Sequence, residues 1–273
     1  MRRWGSDPVA LLGVYLLLRW GLSQGQLPGG TPGPVLLVAA AFSAAVSLGL
    51  PIAAMVAMVA RPRPPVVLVG AILGGLALWL GLANLPLPRG ALALSLALQD
   101  TGKILAAGSL GVLLGRALRD PNLLLPAGIF AAFADFVVVN FGTVKHALSS
   151  PQGRALVEKV SATVPALHAR LPVLTIGPAD FLFLGLFLAC AARFGMGTAR
   201  TAWVLGVVLV LSLVLVPVIG PIPALAPMSI AFVAVNWRHF RLSRQELIHT
   251  LIVLGLMGGL FLAYFLFLFP RKR

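Results

Sequence analysis

The stretch NLLLPAGIFAAFADFVVVNFGTV, residues 122–144, is apolar along almost its whole length and contains one charged side chain, Asp135. A helix rises ~1.5 Å per residue, so about 20 apolar residues are enough to cross the ~30 Å hydrocarbon layer of a membrane. The length and apolar character of this stretch therefore predict a membrane-spanning helix. The carboxyl group within it needs a separate explanation, because an acidic residue at membrane depth is costly.

Comparable apolar runs occur along the rest of the chain, separated by short segments rich in proline and arginine. They cover residues 8–22, 34–60, 65–85, 90–118, 173–194, 199–219, 222–237 and 247–269. Together with 122–144 they predict an all-α fold, a polytopic transmembrane helix bundle of about nine spans. The count falls to eight if the short first run does not cross. The polar stretch 145–172 is predicted to include a short amphipathic helix.

The overall composition supports this class and excludes others. Of 273 residues, 59% are hydrophobic and only 10% are charged, whereas a soluble domain carries roughly 25% charged residues. The net charge of +14 would suggest nucleic acid in a soluble protein. Here the basic residues lie mainly between apolar runs, where they meet lipid headgroups. We therefore expect an integral, multi-pass membrane protein whose partner is the lipid bilayer, with no nucleic acid.

Cysteine and histidine give no sign of a metal centre or a disulfide. The only cysteine, Cys190, lies inside an apolar run, and the four histidines are scattered without the spacing of metal ligands. We therefore expect no metal and no cofactor. Lysine and arginine divide almost evenly between the two predicted membrane faces, so the sequence does not determine orientation.

Three of the seven acidic residues lie inside apolar runs: Asp100, Asp135 and Asp180. A carboxylate at membrane depth costs at least ~2.5 kcal/mol, so each is a candidate functional residue. Asp100 has a structural explanation, because Lys103 is on the same helix face three residues later and can form an ion pair with it. Asp135 and Asp180 have no basic residue nearby along the chain.

Asp135 and Asp180 are predicted to lie at matched depth. Asp135 is nine residues before the end of its run at 144, and Asp180 is seven residues after the start of the next run at 173. These separations correspond to ~13 and ~10 Å from the same membrane face. Consecutive spans are antiparallel, so the two carboxyl groups would come close together. Two buried acids bound by helix backbone, or a proton-coupled transporter, would fit the same depths.

Two carboxyl groups within hydrogen-bond distance cannot both ionise readily, so they share one proton. The ionised member can deprotonate a water molecule, and the protonated member can polarise a peptide carbonyl. This arrangement hydrolyses peptides without a metal or a covalent intermediate. Asp135 and Asp180 are therefore candidate catalytic residues.

The motifs around these acids resemble those of the presenilin and signal peptide peptidase family of intramembrane aspartyl proteases. That family pairs a Tyr-Asp motif with a Gly-x-Gly-Asp motif on the next span, and a Pro-Ala-Leu motif follows. Here FADF supplies Asp135, GPAD supplies Asp180, and PALAP supplies Pro223, Ala224 and Leu225. The order of the motifs, the single span between the last two and the basic loop between the aspartates agree with the family over about 122–240.

The resemblance implies a presenilin-like fold and an intramembrane aspartyl endopeptidase that cleaves transmembrane-helix peptides. It implies that Asp135 and Asp180 are catalytic. Substrate binding and active-site support would come from Gly177, Ala179 and the Pro223–Leu225 motif. It also implies an N-terminal set of helical spans at 1–121, a catalytic part at 122–240 and an extra C-terminal span at 241–273. The chain would be a divergent, prokaryotic-type member in the cell membrane, and the sequence identifies no accessory subunit.

The motifs also depart from the family pattern. Ala134 stands where the family has tyrosine, Pro178 occupies the variable position, and Ala179 replaces the second glycine. Ala226 separates Leu225 from the final proline of the third motif. An inactive presenilin-like homologue is therefore one alternative.

Two further alternatives belong to other classes of protein. A proton-coupled secondary transporter would use Asp100, Asp135 and Asp180 as proton relays. A prepilin-peptidase-like protease would share the Gly-x-Gly-Asp motif. However, those enzymes lack Pro-Ala-Leu and usually follow the aspartate with lysines, whereas FLFLGLF follows Asp180.

Overall fold

The computed structural model describes residues 7–61, 63–85, 88–140, 150–169, 174–220, 222–241 and 243–263. These residues form ten α-helices, three short 3-10 helices and two three-residue strands. The predicted helical class is confirmed. The parts of the predicted loop at 145–149 and 170–172, and the end of the last predicted span at 264–269, lie outside the described residues.

The α-helices are α1 Pro8–Gln24, α2 Gly33–Val59, α3 Pro65–Ala83, α4 Leu92–Ala117, α5 Leu124–Asn140, α6 Pro151–Val160, α7 Pro178–Arg193, α8 Thr198–Ile219, α9 Leu225–Asn236 and α10 Arg244–Ala263. The 3-10 helices are Arg89–Ala91, Pro121–Leu123 and Trp237–His239, and the strands are β1 Ala162–Val164 and β2 Leu174–Ile176. Helix α6 confirms the short helix expected in the polar stretch.

Within the part of the chain that the structure describes, four helical segments are long and apolar enough to cross a membrane: Gly33–Val59, Pro65–Ala83, Pro121–Val139 and Thr198–Pro217. Many large apolar side chains on these helices point outward, among them Val66, Phe130 and Leu211. Outward-facing apolar side chains in such numbers suit a lipid environment and not water. These features suggest a membrane protein.

The start of α7 differs from the sequence prediction, which placed a helical span over 173–194. Residues 174–176 instead form β2, which pairs antiparallel with β1 so that Ala162 lies opposite Ile176. The helix begins at Pro178. A proline fits the first helical position but disfavours helix in the residue before it, so Gly177 is extended and the helix cannot start earlier.

Glycines allow α4 to pack closely against α7. A Cβ atom at Gly111 would overlap the carbonyl oxygen of Leu182, and one at Gly185 would overlap that of Gly108. On its other side α4 meets α3, where a Cβ at Gly75 would lie 2.6 Å from the Gly102 carbonyl oxygen. Small residues at such contacts let helix backbones approach each other. Helix α4 is thus the central element that holds α7, the helix of Asp180.

Candidate active site

Asp135 lies on α5 and contacts the third motif directly. Its Oδ2 accepts a hydrogen bond of 2.9 Å from the backbone N–H of Leu225, the first residue of α9. The first N–H groups of a helix have no partner within the helix, and the helix dipole favours a negative charge there. The Pro-Ala-Leu segment is therefore attached to α5 through the carboxyl group that the sequence singled out.

Asp180 lies in the first turn of α7 and is bound by the residue before the helix. Its Oδ2 accepts a hydrogen bond of 2.9 Å from the N–H of Gly177, and its own N–H donates to the Gly177 carbonyl oxygen at 3.1 Å. Gly177 needs no positive φ, since its φ is −68°. A Cβ atom there would lie 3.4 Å from Asp180 Oδ2, so glycine keeps the space beside the carboxyl group open.

The two carboxyl groups are close enough to interact electrostatically. Both side chains are partly buried. Within the described part of the chain, each accepts its hydrogen bond through Oδ2, which leaves Oδ1 of each group free to bind water or a substrate. Each acid is thus oriented by one backbone N–H.

The other predicted site residues lie around these acids. Pro223 and Ala224 are partly buried and immediately precede Leu225, which is itself buried. Ala179 is exposed next to Asp180. Each of these residues therefore lies within two positions along the chain of Leu225, which binds Asp135, or of Asp180 itself.

A stacked aromatic pair connects the helices that carry the second and third motifs. The rings of Phe187 on α7 and Phe232 on α9 are parallel to within 11°, with centroids 4.3 Å apart. Both side chains are fully buried. No sequence pattern distinguishes these two phenylalanines from the other 13, because ring stacking depends on helix packing that spacing does not reveal.

Asp100 forms the predicted ion pair with Lys103, at 3.1 Å, which confirms that expectation. It also pairs with Arg19 of α1 at 2.9 Å, a partner that the sequence analysis missed. The side chain of Asp100 is 2% exposed, that of Lys103 3% and that of Arg19 5%. The available signal was a lone arginine near the end of the first apolar run, which needs a buried acid as a partner.

This buried ion network also binds strand β1, which pairs with the strand leading into the second motif. Asp100 Oδ2 accepts hydrogen bonds from the backbone N–H of Thr163 at 3.2 Å and from its hydroxyl at 3.1 Å. Lys103 donates to the carbonyl of Ser161 at 2.6 Å. Strand β1 is thereby fixed to α1 and α4. Since β1 pairs with β2, the network also supports the backbone that leads into Gly177 and Asp180.

Among the residues that the structure describes, no group of three or more His, Cys, Asp or Glu side chains could hold a metal ion. Comparison of the chain with protein-family models, with curated proteins and with solved structures found no match.

Proposed function

We propose that the protein is a multi-pass integral membrane aspartyl endopeptidase, similar to presenilin and signal peptide peptidase, that cleaves transmembrane helices. The observation that carries this proposal is the hydrogen bond from the Leu225 N–H to Asp135, which joins the first and third motifs. The first and third motifs, 90 residues apart in the sequence, therefore meet at the carboxyl group of Asp135, and Asp180 lies close enough to interact with it electrostatically. Their order along the chain and their contacts both support the same kind of site.

The proposed chemistry uses one proton shared between the two acids. Two neighbouring carboxylates repel, so one is held protonated while the other is ionised. The ionised group removes a proton from a bound water, which attacks the peptide carbonyl carbon. The protonated group donates to the carbonyl oxygen. The N–H groups of Gly177 and Leu225 orient the carboxyls, so that Oδ1 of each can face the water and the peptide.

The substrate proposed for this site is a transmembrane helix that has been locally unwound. A peptide bond within a helix has its carbonyl hydrogen-bonded and shielded, so attack by water requires an extended segment. Unwound backbone at membrane depth is tolerated only against protein or a cavity. The proline-rich start of α9 beside Asp135 offers such a surface, because its own backbone is not fully paired within a helix.

An inactive homologue is the alternative that the same contacts favour. Each carboxylate also satisfies an N–H group at a helix start, which is a stabilising role in itself. Asp135 and Asp180 would then maintain the fold without catalysis. By contrast, Asp100 has a basic partner on each of two helices, which disfavours its use as a proton relay in a transporter.

The test is cleavage of a helical membrane peptide in liposomes by Asp135→Asn and Asp180→Asn. Asparagine keeps an oxygen that can accept the backbone hydrogen bond but removes the acid. We expect each variant to lose at least ~10³-fold in cleavage rate while its unfolding temperature stays near that of the wild type. Because the two groups act as a unit, the double variant should be no slower than either single one.

Asp120→Asn is the matched control, since Asp120 also accepts a backbone N–H, that of Asn122 at 2.8 Å, but lies outside the site. It should cleave at the wild-type rate. Full activity in either Asp135→Asn or Asp180→Asn would exclude the proposed mechanism. A wild-type protein that cleaves no helical substrate and binds no hydroxyl transition-state mimic would favour the inactive homologue.

A further inference from the structure

A second site lies where α8 begins and α9 ends, away from the two aspartates. A half-open cavity of about 530 Å³ is lined there by Arg200, Ala234, Val235, Trp237, Arg238 and His239. These six residues include two arginines, a histidine and no acidic residue. A cavity of this size could hold a phosphate group together with the glycerol to which it is attached.

Hydrogen bonds fix the walls of this cavity. Arg200 donates to the Val235 carbonyl at 2.9 Å, which uses one of the five N–H groups of its guanidinium. Immediately beside it, the buried side chains of Thr201 and Asn236 are hydrogen-bonded at 3.1 Å. Helices α8 and α9 are thus held together at the cavity, and the Arg200 guanidinium has a defined position.

The rim of the cavity has the residues of a membrane interface. Trp237 is 67% exposed, and Trp203, three residues after Arg200 on the same face of α8, is 74% exposed. Exposed tryptophans concentrate at the level of lipid headgroups, and arginines near helix ends extend their charge to the same level. Arg200 is in the first turn of Thr198–Pro217, one of the segments able to cross a membrane.

We propose that this cavity binds the phosphate of an anionic phospholipid. Arginine forms paired hydrogen bonds with phosphate oxygens, and the exposed tryptophans would contact the glycerol and the upper acyl chains. The inference depends on the membrane location proposed above and not on proteolytic activity. The lipid would bridge α8 and α9 at the end of α9 opposite the one bound by Asp135.

The test is binding of phosphatidylglycerol to the full chain in neutral detergent, measured by native mass spectrometry and by the rise in unfolding temperature. We expect Arg200→Gln/Arg238→Gln to bind the lipid at least ~10-fold more weakly than the wild type, because it loses charge-assisted hydrogen bonds. Arg61→Gln/Arg244→Gln is the matched control, as it removes the same two charges from exposed positions outside the cavity. It should bind as the wild type does.

Two ligand controls separate the possible sources of the effect. Phosphatidylcholine with the same acyl chains should bind more weakly, and inorganic phosphate should give little stabilisation. Equal binding by the double variant and the wild type would overturn the proposal, as would equal binding of the two lipids. Stabilisation by inorganic phosphate alone would assign the cavity to a free anion instead.

If the double variant does not fold, Arg238→Gln alone provides the comparison, since Arg238 is exposed on a short 3-10 helix. The binding assay contains no peptide substrate, so a negative result there would reject the lipid site without bearing on the proposed protease activity.

Discussion

At the scale of single residues, Ala179 is the departure from the presenilin pattern that is easiest to test. Its methyl group is exposed beside Asp180, where the family has glycine. We expect Ala179→Gly to raise the cleavage rate severalfold, because the backbone next to the proposed catalytic acid gains room and conformational freedom. The measurement is the initial rate of cleavage of one helical substrate. Folding should be destabilised by at most ~1 kcal/mol.

Ala192→Gly is the control for this change, since Ala192 is also exposed on α7 but lies near the other end of the helix. It should cause a similar loss of stability without altering the rate. A lower rate in Ala179→Gly would mean that the methyl group packs productively in the site, and that the family's glycine is not required here.

The buried carboxylate of Asp100 connects two helices, because it has one basic partner on α1 and another on α4. Asp100→Ala would leave Arg19 and Lys103 buried without their counter-charge, so we expect a loss of ~3–5 kcal/mol in unfolding free energy. Unfolding in mixed micelles by denaturing detergent would measure it. Asp7→Ala, which removes an exposed cap from α1, should cost only ~1 kcal/mol.

A double-mutant cycle separates this network from simple packing. Arg19→Met combined with Asp100→Asn removes one charge of each sign, so its loss of stability should be smaller than the sum of the two single losses. Additive losses would show that the ion pair contributes nothing beyond the volume of its side chains.

At the scale of elements, the contact between α4 and α7 depends on glycine. Gly111→Ala would force a methyl group into the backbone of Leu182, and we expect a loss of ~1–3 kcal/mol in stability as the helices separate. Gly74→Ala on α3 is the control, because a Cβ there would meet no atom within 4 Å. That change should be neutral or stabilising by up to ~1 kcal/mol. Equal unfolding midpoints for the two variants would contradict the packing.

The elements also show how far the sequence could predict the structure. Long apolar runs were sufficient for the helical class, because length and hydropathy alone determine which segments can lie in lipid. The strand at Leu174–Ile176 was wrongly assigned to a helix, since short apolar runs have no distinctive period. The antiparallel pairing with Ala162–Val164 depends on a partner outside the run, which periodicity within the run cannot reveal.

At the scale of the whole molecule, the motifs predicted that the Pro-Ala-Leu segment would lie near Asp135 but not how the two would bind. The order of the three motifs led to Asp135, Asp180 and Leu225. The hydrogen bond from Leu225 to Asp135 could not be predicted from the sequence, because it depends on where α9 begins relative to α5. Arg19 was missed for a similar reason, as its partner Asp100 lies 81 residues later in the chain. Contacts of long sequence separation leave no local pattern.

The separation between Arg19 and Asp100 also has a consequence for biogenesis. At ~5–20 residues per second a ribosome needs ~4–16 s to synthesise the 81 residues between them. Throughout that interval Arg19 lacks its acidic partner, and an arginine at mid-membrane costs ~2.5–3.5 kcal/mol. Because Arg19 lies only five residues before the end of α1, we expect its side chain to extend towards the headgroups during translation. We therefore expect Arg19 to reach its buried position only after α4 supplies the Asp100 carboxylate.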